Sequence, residues 1–290
     1  MDKMRKKISV IGGDLRQIYA ARNLMEQGYD VRMYGFEHTQ AEDCFAFCDL
    51  SYALVEAECV LLPLPVTRDG STLSMPLSQQ KLTLKELFSK ISKNTTVFCG
   101  MAEKLPVCYR EAVVDYAKDE GFLLKNAYLT AEAALEIAIA NTPVSLFGAS
   151  VLITGYGRIG FFLARMLHFL GAETYVASRN MSHLAKIELE GCIPVSYETL
   201  SSVLPKMEII FNTAPTLIFD DSFICEISKE SLFVDLASLP GGIDQEAAKK
   251  RGVSVLHALS LPGKVAPVSS GKIVADTILR LLSHKNCNKE

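Results

Sequence analysis

No stretch of this sequence stays apolar for the roughly 20 residues that cross a bilayer, so no membrane-spanning helix is expected. The opening MDKMRKKISVIGG is basic, but its apolar run is too short for a signal-peptide core and turns at once into glycines. A cytoplasmic location is the expectation. An excess of one charge is also missing. Against 30 Lys and Arg stand 33 Asp and Glu, a net charge of -3, which gives no electrostatic reason for a nucleic-acid or anionic-membrane partner. Metal-ligand spacing is absent too: His38, His168, His183 and His284 stand apart and no carboxylate cluster joins them, so no metal is expected.

Eight cysteines are present, but their context does not suggest a disulfide scaffold. Cys59 and Cys99 sit in strand-like apolar runs, and Cys192 follows a glycine ahead of another strand. Cys44 and Cys48 are four apart on a candidate helix without a histidine beside them. Reduced, structural thiols are the reading. The 290 residues, 49% hydrophobic and 22% charged, are enough for one large domain or two moderate ones with real cores.

Two halves repeat one pattern. The first opens with strand KISVIGG, helix LRQIYAARNLMEQG and strand YDVRMYGF; the second with SVLITGYG, IGFFLARMLHFLG and AETYVASRN. Further strands are predicted at AECVLLPLP, TTVFCG and GFLLKNA, then at CIPVSY, MEIIFNTAP, SLFVDLAS and VSVLHAL. Short apolar strands alternating with amphipathic helices predict an α/β protein of two Rossmann-like parallel-sheet domains with helices on both faces. The helix expected from Thr130, limited by Pro143, joins them. The expected domains are 1–128, with the C-terminal helix 268–290 packing back on it, and 129–267 for the linker helix and nucleotide domain. Strand-end loops of both domains would then face an interdomain cleft.

GYGRIG supplies Gly155, Gly157 and Gly160 in the G-x-G-x-x-G pattern, after a strand and before an apolar helix. The first glycine allows the tight turn, the second lets backbone approach a pyrophosphate, and the third lets helix and sheet pack closely. Backbone N–H groups of the first helical turn, at Arg158 and Ile159, then face the phosphates. In this context the motif predicts a dinucleotide. At the end of the next strand, TYVASRN has no carboxylate for a ribose hydroxyl pair. Arg179 could pair bidentately with a 2′-phosphate and Ser178 could donate its hydroxyl, which selects NADP. Against this stands Arg179 as a solvated surface residue. Asn180 is a further donor or the cap of the following helix.

The first domain carries an incomplete copy, IGGDLRQ, with Asp14 where a pyrophosphate would have to lie. It reads as a substrate or partner domain. Arg16 is either an anion anchor or a surface helical residue. LPLPVTRDGSTLSMP presents Thr67 and Arg68 after a strand, suited to a carboxylate or forming an ordinary turn. In the second domain FNTAP places Asn212, Thr213 and Pro215 at the nicotinamide end, and DLASLPGG offers Ser238 with Gly241 and Gly242. In HALSLPGKVAPVSSGKI, a loop at Pro262, Gly263 and Lys264 is expected; Lys264 could hold a carboxylate or assist proton transfer. His257, at a strand end, is the default acid–base candidate or a packed histidine.

VIGGDLRQ, LPLPVTRDG, VLITGYGRIG, VASRN, FNTAP, DLASLPGG and LPGKVAPVSSGKI, in this order and around the linker YLTAEAALEIAI, resemble the A subunits of dipicolinate synthase over nearly the whole chain. That resemblance implies an NADP-binding oxidoreductase subunit. It would oxidise dihydrodipicolinate, derived from 4-hydroxy-tetrahydrodipicolinate of the lysine branch, to pyridine-2,6-dicarboxylate during sporulation. The resemblance further implies that the partner is a flavoprotein-like B subunit, with the mother-cell cytoplasm as location; a homo-oligomer is left open. It carries Gly155, Gly157, Gly160, Ser178 and Arg179 over as nucleotide residues. Thr67, Arg68, Asn212, Ser238, His257 and Lys264 lie in segments typical of the family without an assigned role. The rivals are another two-domain dehydrogenase, of alanine, methylene-tetrahydrofolate or 2-hydroxyacid type, and a non-catalytic nucleotide-binding subunit. The Arg, Glu and His arrangement of 2-hydroxyacid enzymes is not evident.

Overall fold

The computed structural model describes residues 6–37, 48–238 and 240–287; His38, Cys44 and Leu239 lie outside them. The chain divides into two compact units, Met1–Asn126 with Gly263–Glu290, and Ala127–Pro262.

In the first unit five strands form one parallel sheet: β1 (Lys7–Ile11), β2 (Asp30–Tyr34), β3 (Cys59–Leu61), β4 (Thr96–Cys99) and β5 (Val113–Asp115), in the order β2-β1-β3-β4-β5. The inner strands β1, β3 and β4 are largely buried and apolar because both faces are covered. Ile8, Val10, Leu61 and Phe98 pack to one side, and Ile11, Val60, Val97 and Cys99 to the other. Helix Leu15–Glu26 starts at a capping box: Asp14 accepts from the Arg16 N–H, and the Gln17 side chain accepts from the Asp14 N–H. The C-terminal helix Pro267–Cys287 packs along Leu15–Glu26. Gly271 permits that approach, because a Cβ there would stand 2.6 Å from the Arg16 carbonyl oxygen.

Among the described residues the second unit has six parallel strands: β6 (Ser150–Thr154), β7 (Glu173–Ala177), β8 (Ile193–Val195), β9 (Ile209–Asn212), β10 (Leu232–Asp235) and β11 (Ser254–His257), ordered β11-β10-β9-β6-β7-β8. The order in which the chain adds strands reverses between β6 and β9, which is where open α/β sheets bind dinucleotides. Alternate residues split between two layers. Val151, Ile153, Phe211 and Val234 meet Leu163 and Leu167 on one side, while Leu152, Ile210 and Phe233 meet Leu200, Phe219 and Ile224 on the other. Each such buried side chain contributes about 1.5–3 kcal/mol.

Three local expectations are corrected. GFLLKNA is no strand; it lies within helix Glu120–Asn141, which starts ten residues earlier than Thr130. The reason is Asp119, whose carboxylate accepts the Phe122 N–H at 2.8 Å and caps the new helix. The edge strand is instead the short VVD segment of β5. The segment holding Pro262, Gly263 and Lys264 is not a loop but a short helix, Leu261–Val265, where Pro262 falls in the first turn that tolerates proline. Among the described residues, no helix is long and apolar enough to cross a membrane.

Candidate functional site

At the carboxyl end of β6 the three glycines carry three different constraints. Gly155 has φ +94°, and a Cβ there would lie 2.6 Å from Thr213 Oγ1. Gly160, in the first turn of helix Arg158–Phe169, has no room for one at all: it would stand 2.1 Å from the Gly155 carbonyl oxygen. Gly157 differs. Its φ is an ordinary -84°, it caps the helix without a side-chain partner, and a Cβ there would meet nothing within 4 Å. The open space over Gly157, with first-turn N–H groups at hand, fits a pyrophosphate. Arg158 beside it is exposed and Ile159 half-buried. Thr213 Oγ1 donates to the Thr154 carbonyl at 2.9 Å, tying the loop after β9 to the glycine turn.

Beyond β7, Ser178 is buried and its hydroxyl accepts the Asn180 N–H at 3.2 Å. Ser178 Oγ also lies 3.3 Å from His183 Nδ1. Asn180 caps helix Met181–Leu189, its Oδ1 accepting from the Ser182 N–H. Arg179 is exposed, with its guanidinium 5.8 Å from the Tyr197 ring centroid. Burial pushes the Tyr197 hydroxyl up, against the opposing pull of Arg179.

Four adjacent strands end in polar residues, and the register sets them in one row: Thr154 opposite Asn212, Asn212 opposite Asp235, Asp235 opposite His257. Thr154, Asn212 and Asp235 are fully buried. Thr154 Oγ1 donates to Asn212 Oδ1 at 2.8 Å, and Asn212 Nδ2 donates to Asp235 Oδ1 at 2.8 Å. The Asp235 carboxylate also accepts the Ala237 N–H at 3.1 Å and the Gly242 N–H at 2.9 Å. Asn212 Oδ1 accepts the Ala214 N–H at 3.2 Å. Every partner expected of a buried polar group is therefore supplied, and the loops after β6, β9 and β10 are bound into one assembly. His257 stands at its open end, Nδ1 3.9 Å from Asp235 Oδ2, with its side chain 26% exposed. Ser238 and Pro215 are exposed on the loops that the row supports.

The first unit places its candidates differently. Arg16 is neither a surface residue nor a free anchor. It is buried, forks onto Asp14 at 2.9 and 2.7 Å, and donates to the Leu64 carbonyl. Burial works against its charge, yet the hydrogen bond and charge of Asp14 hold it above the ordinary arginine value. Asp14 thus fills the helix start that a phosphate would need. Thr67 is also fully buried: its hydroxyl donates to Asp69 and accepts the Gly70 N–H. Asp69 gathers Ser71 N–H, Thr72 N–H and Thr72 Oγ1. The Thr72 hydroxyl, then the N–H groups, hold its carboxyl well below the usual range. Arg68 projects from this braced turn and is exposed, as is Lys264.

Sequence reading missed Thr154 and Asp235. The signal was available: VLIT, IIFN, LFVD and SVLH each end an apolar run on a polar residue. Their alignment in one row, however, depends on strand order.

A family profile described as the N-terminal domain of the dipicolinate synthase A subunit matches residues 7–106. Over 284 residues, 96% of this chain and 96% of the relative, the sequence is 30% identical to the dipicolinate synthase A subunit of Bacillus subtilis. The crystal structure of the dipicolinate synthase A subunit from Bacillus halodurans matches with a TM-score of 0.85 at 28% identity, covering 96% of this chain and 97% of that one. A transhydrogenase from Sinorhizobium meliloti matches with a TM-score of 0.70 at 16% identity, covering 96% and 94%. That last likeness is one of fold.

Proposed function

The chain belongs to the family of dipicolinate synthase A subunits, and we propose that it catalyses NADP-dependent oxidation of dihydrodipicolinate to pyridine-2,6-dicarboxylate. The observation that carries this reading is the strand-end geometry of the second unit. An open cradle at Gly157 is followed, after β7, by Ser178 and Arg179 where an NAD site would have a carboxylate. Gly155, Gly157, Gly160 and the first turn at Arg158 and Ile159 hold the pyrophosphate, and Ser178 and Arg179 hold the ribose phosphate. Thr213 braces the glycine turn, and Asn212 shapes the loop to Pro215 from beneath.

When bound, NADP⁺ supplies the nicotinamide carbon that accepts hydride. The partly reduced ring breaks one C–H bond as hydride and loses one ring proton, and aromaticity supplies the driving force. What remains for the protein is orientation, carboxylate binding and proton removal. Arg68 and Lys264 are the carboxylate cations, with Thr67 holding the Arg68 turn in shape. His257 accepts the proton, and Ser238 offers a hydroxyl from the loop after β10. Two further parts rest on the family: the partner, a flavoprotein-like B subunit, and the setting, the mother cell of a sporulating bacterium.

The test is absorbance of reduced nicotinamide when purified protein, alone and with the B subunit, receives NADP⁺ and freshly prepared dihydrodipicolinate. Reduction of NADP⁺ coupled to dipicolinate formation is expected. Nucleotide binding without turnover in either preparation would overturn the catalytic reading and leave a nucleotide-binding protein.

A further inference from the structure

The groups at the end of β7 do not stand alone. His183 is hydrogen-bonded to Ser178 Oγ, at 3.3 Å from Nδ1, and its ring packs edge-on against Tyr156 with centroids 5.6 Å apart. Tyr156 lies between the two leading glycines of the turn after β6. His183 therefore bridges the pyrophosphate turn and the serine at the ribose end. On the other side, the half-buried Tyr197, two residues past β8, lies under Arg179 at 5.8 Å from centroid to guanidinium, within the range where a ring face attracts a cation. Tyr197 itself packs against the buried layer of Leu200, Leu204 and Ile210, so it is a fixed platform. An exposed arginine loses much side-chain entropy on binding an anion, and a platform that pre-orients it reduces that loss.

We infer that His183 and Tyr197 are specificity-determining residues for the cofactor's extra phosphate: His183 with a ring nitrogen turned to it, Tyr197 by holding Arg179 in place. The inference deepens the NADP reading and rests on it. Ser178 Oγ already accepts the Asn180 N–H, and its hydroxyl hydrogen is left to choose between His183 and a phosphate oxygen. A phosphate would take that hydrogen and leave the imidazole free to donate as well.

Calorimetric titration of the full chain with 2′,5′-ADP and with 5′-AMP, which differ only in the 2′-phosphate, separates the contributions. The wild-type protein should bind 2′,5′-ADP more tightly. His183→Ala and Tyr197→Leu should each weaken 2′,5′-ADP roughly five- to tenfold, with 5′-AMP unchanged. Tyr197→Phe keeps the ring face and should retain wild-type affinity for both. His183→Ala, on a partly exposed helix face, carries the test by itself should Tyr197→Leu not fold. Equal weakening of both ligands, or of neither, would overturn the inference while a wild-type preference for 2′,5′-ADP leaves the NADP reading standing. A wild-type protein without that preference would overturn both.

Discussion

Asp235→Asn is the most informative single change, because the substitution alters one atom of a fully buried network. The carboxylate accepts from three donors: Asn212 Nδ2 and Ala237 N–H at Oδ1, and Gly242 N–H at Oδ2. An amide has one oxygen. Turned to keep the Asn212 and Ala237 bonds, it points its NH₂ at the Gly242 N–H; turned the other way, it opposes two donors. Asn212 cannot rotate to compensate, since its Oδ1 already accepts from Thr154 Oγ1 and the Ala214 N–H. One buried N–H is left unpaired in the better case, at a cost of about 1–3 kcal/mol. For a unit of this size that lowers the unfolding temperature by about 3–10 °C. With no tryptophan in the sequence, far-UV circular dichroism is the suitable probe. Amide exchange gives the local readout: Gly242 should lose protection. Asn212→Asp, which would set two carboxylates together in the interior, should cost more, about 3–5 kcal/mol. A wild-type melting curve for Asp235→Asn, with Gly242 still protected, would refute the network.

Gly160→Ala, with its Cβ 2.1 Å from a backbone oxygen, forces helix and strand apart. The helix-propensity gain of about 1 kcal/mol offsets only part of that strain, so denaturant melts should show net destabilisation. Arg179→Asp should weaken NADP⁺ about 10- to 100-fold relative to NAD⁺; an unchanged ratio of dissociation constants would contradict its assignment. Removing the charge of Arg68 or Lys264 should raise the substrate KM, and an unchanged KM eliminates that residue as a carboxylate ligand. Asp69 has its folded pKa depressed, so its ionised form stabilises the turn. That contribution is complete above the unfolded value of about 4 and is lost as pH falls through the lower folded value. Protection of the Ser71 and Thr72 amides, both of which donate to Asp69 Oδ1, should accordingly outlast the pH at which a free aspartate protonates, and Asp69→Ala should abolish it at neutral pH. Protection that is indifferent to Asp69→Ala would count against this account.

Much of the fold was legible because its signals are local. Apolar strand runs, the glycine triplet with a strand before it and a helix after it, and the missing carboxylate in VASRN each lie within a few consecutive residues. GFLLKNA misled for a related reason: a short apolar run fits a buried strand or a helix face equally, and the Asp119 cap that decides between them lies outside the run. Arg16 misled in another way. Whether an arginine near a helix start is solvated or buried depends on what packs over it, and here Gly263 and Gly271 of the returning C-terminal segment do so.

Determined by the sequence alone were the α/β class, the position of the glycine turn and the character of the residues beyond β7. These follow from hydrophobic period, from glycine's lack of a Cβ, and from charge, all properties of neighbouring residues. Only the tertiary structure decided that Thr154, Asn212, Asp235 and His257 stand in one row. They are spread over more than a hundred positions of the chain, and parallel pairing in the order β6-β9-β10-β11 is what brings four strand ends side by side.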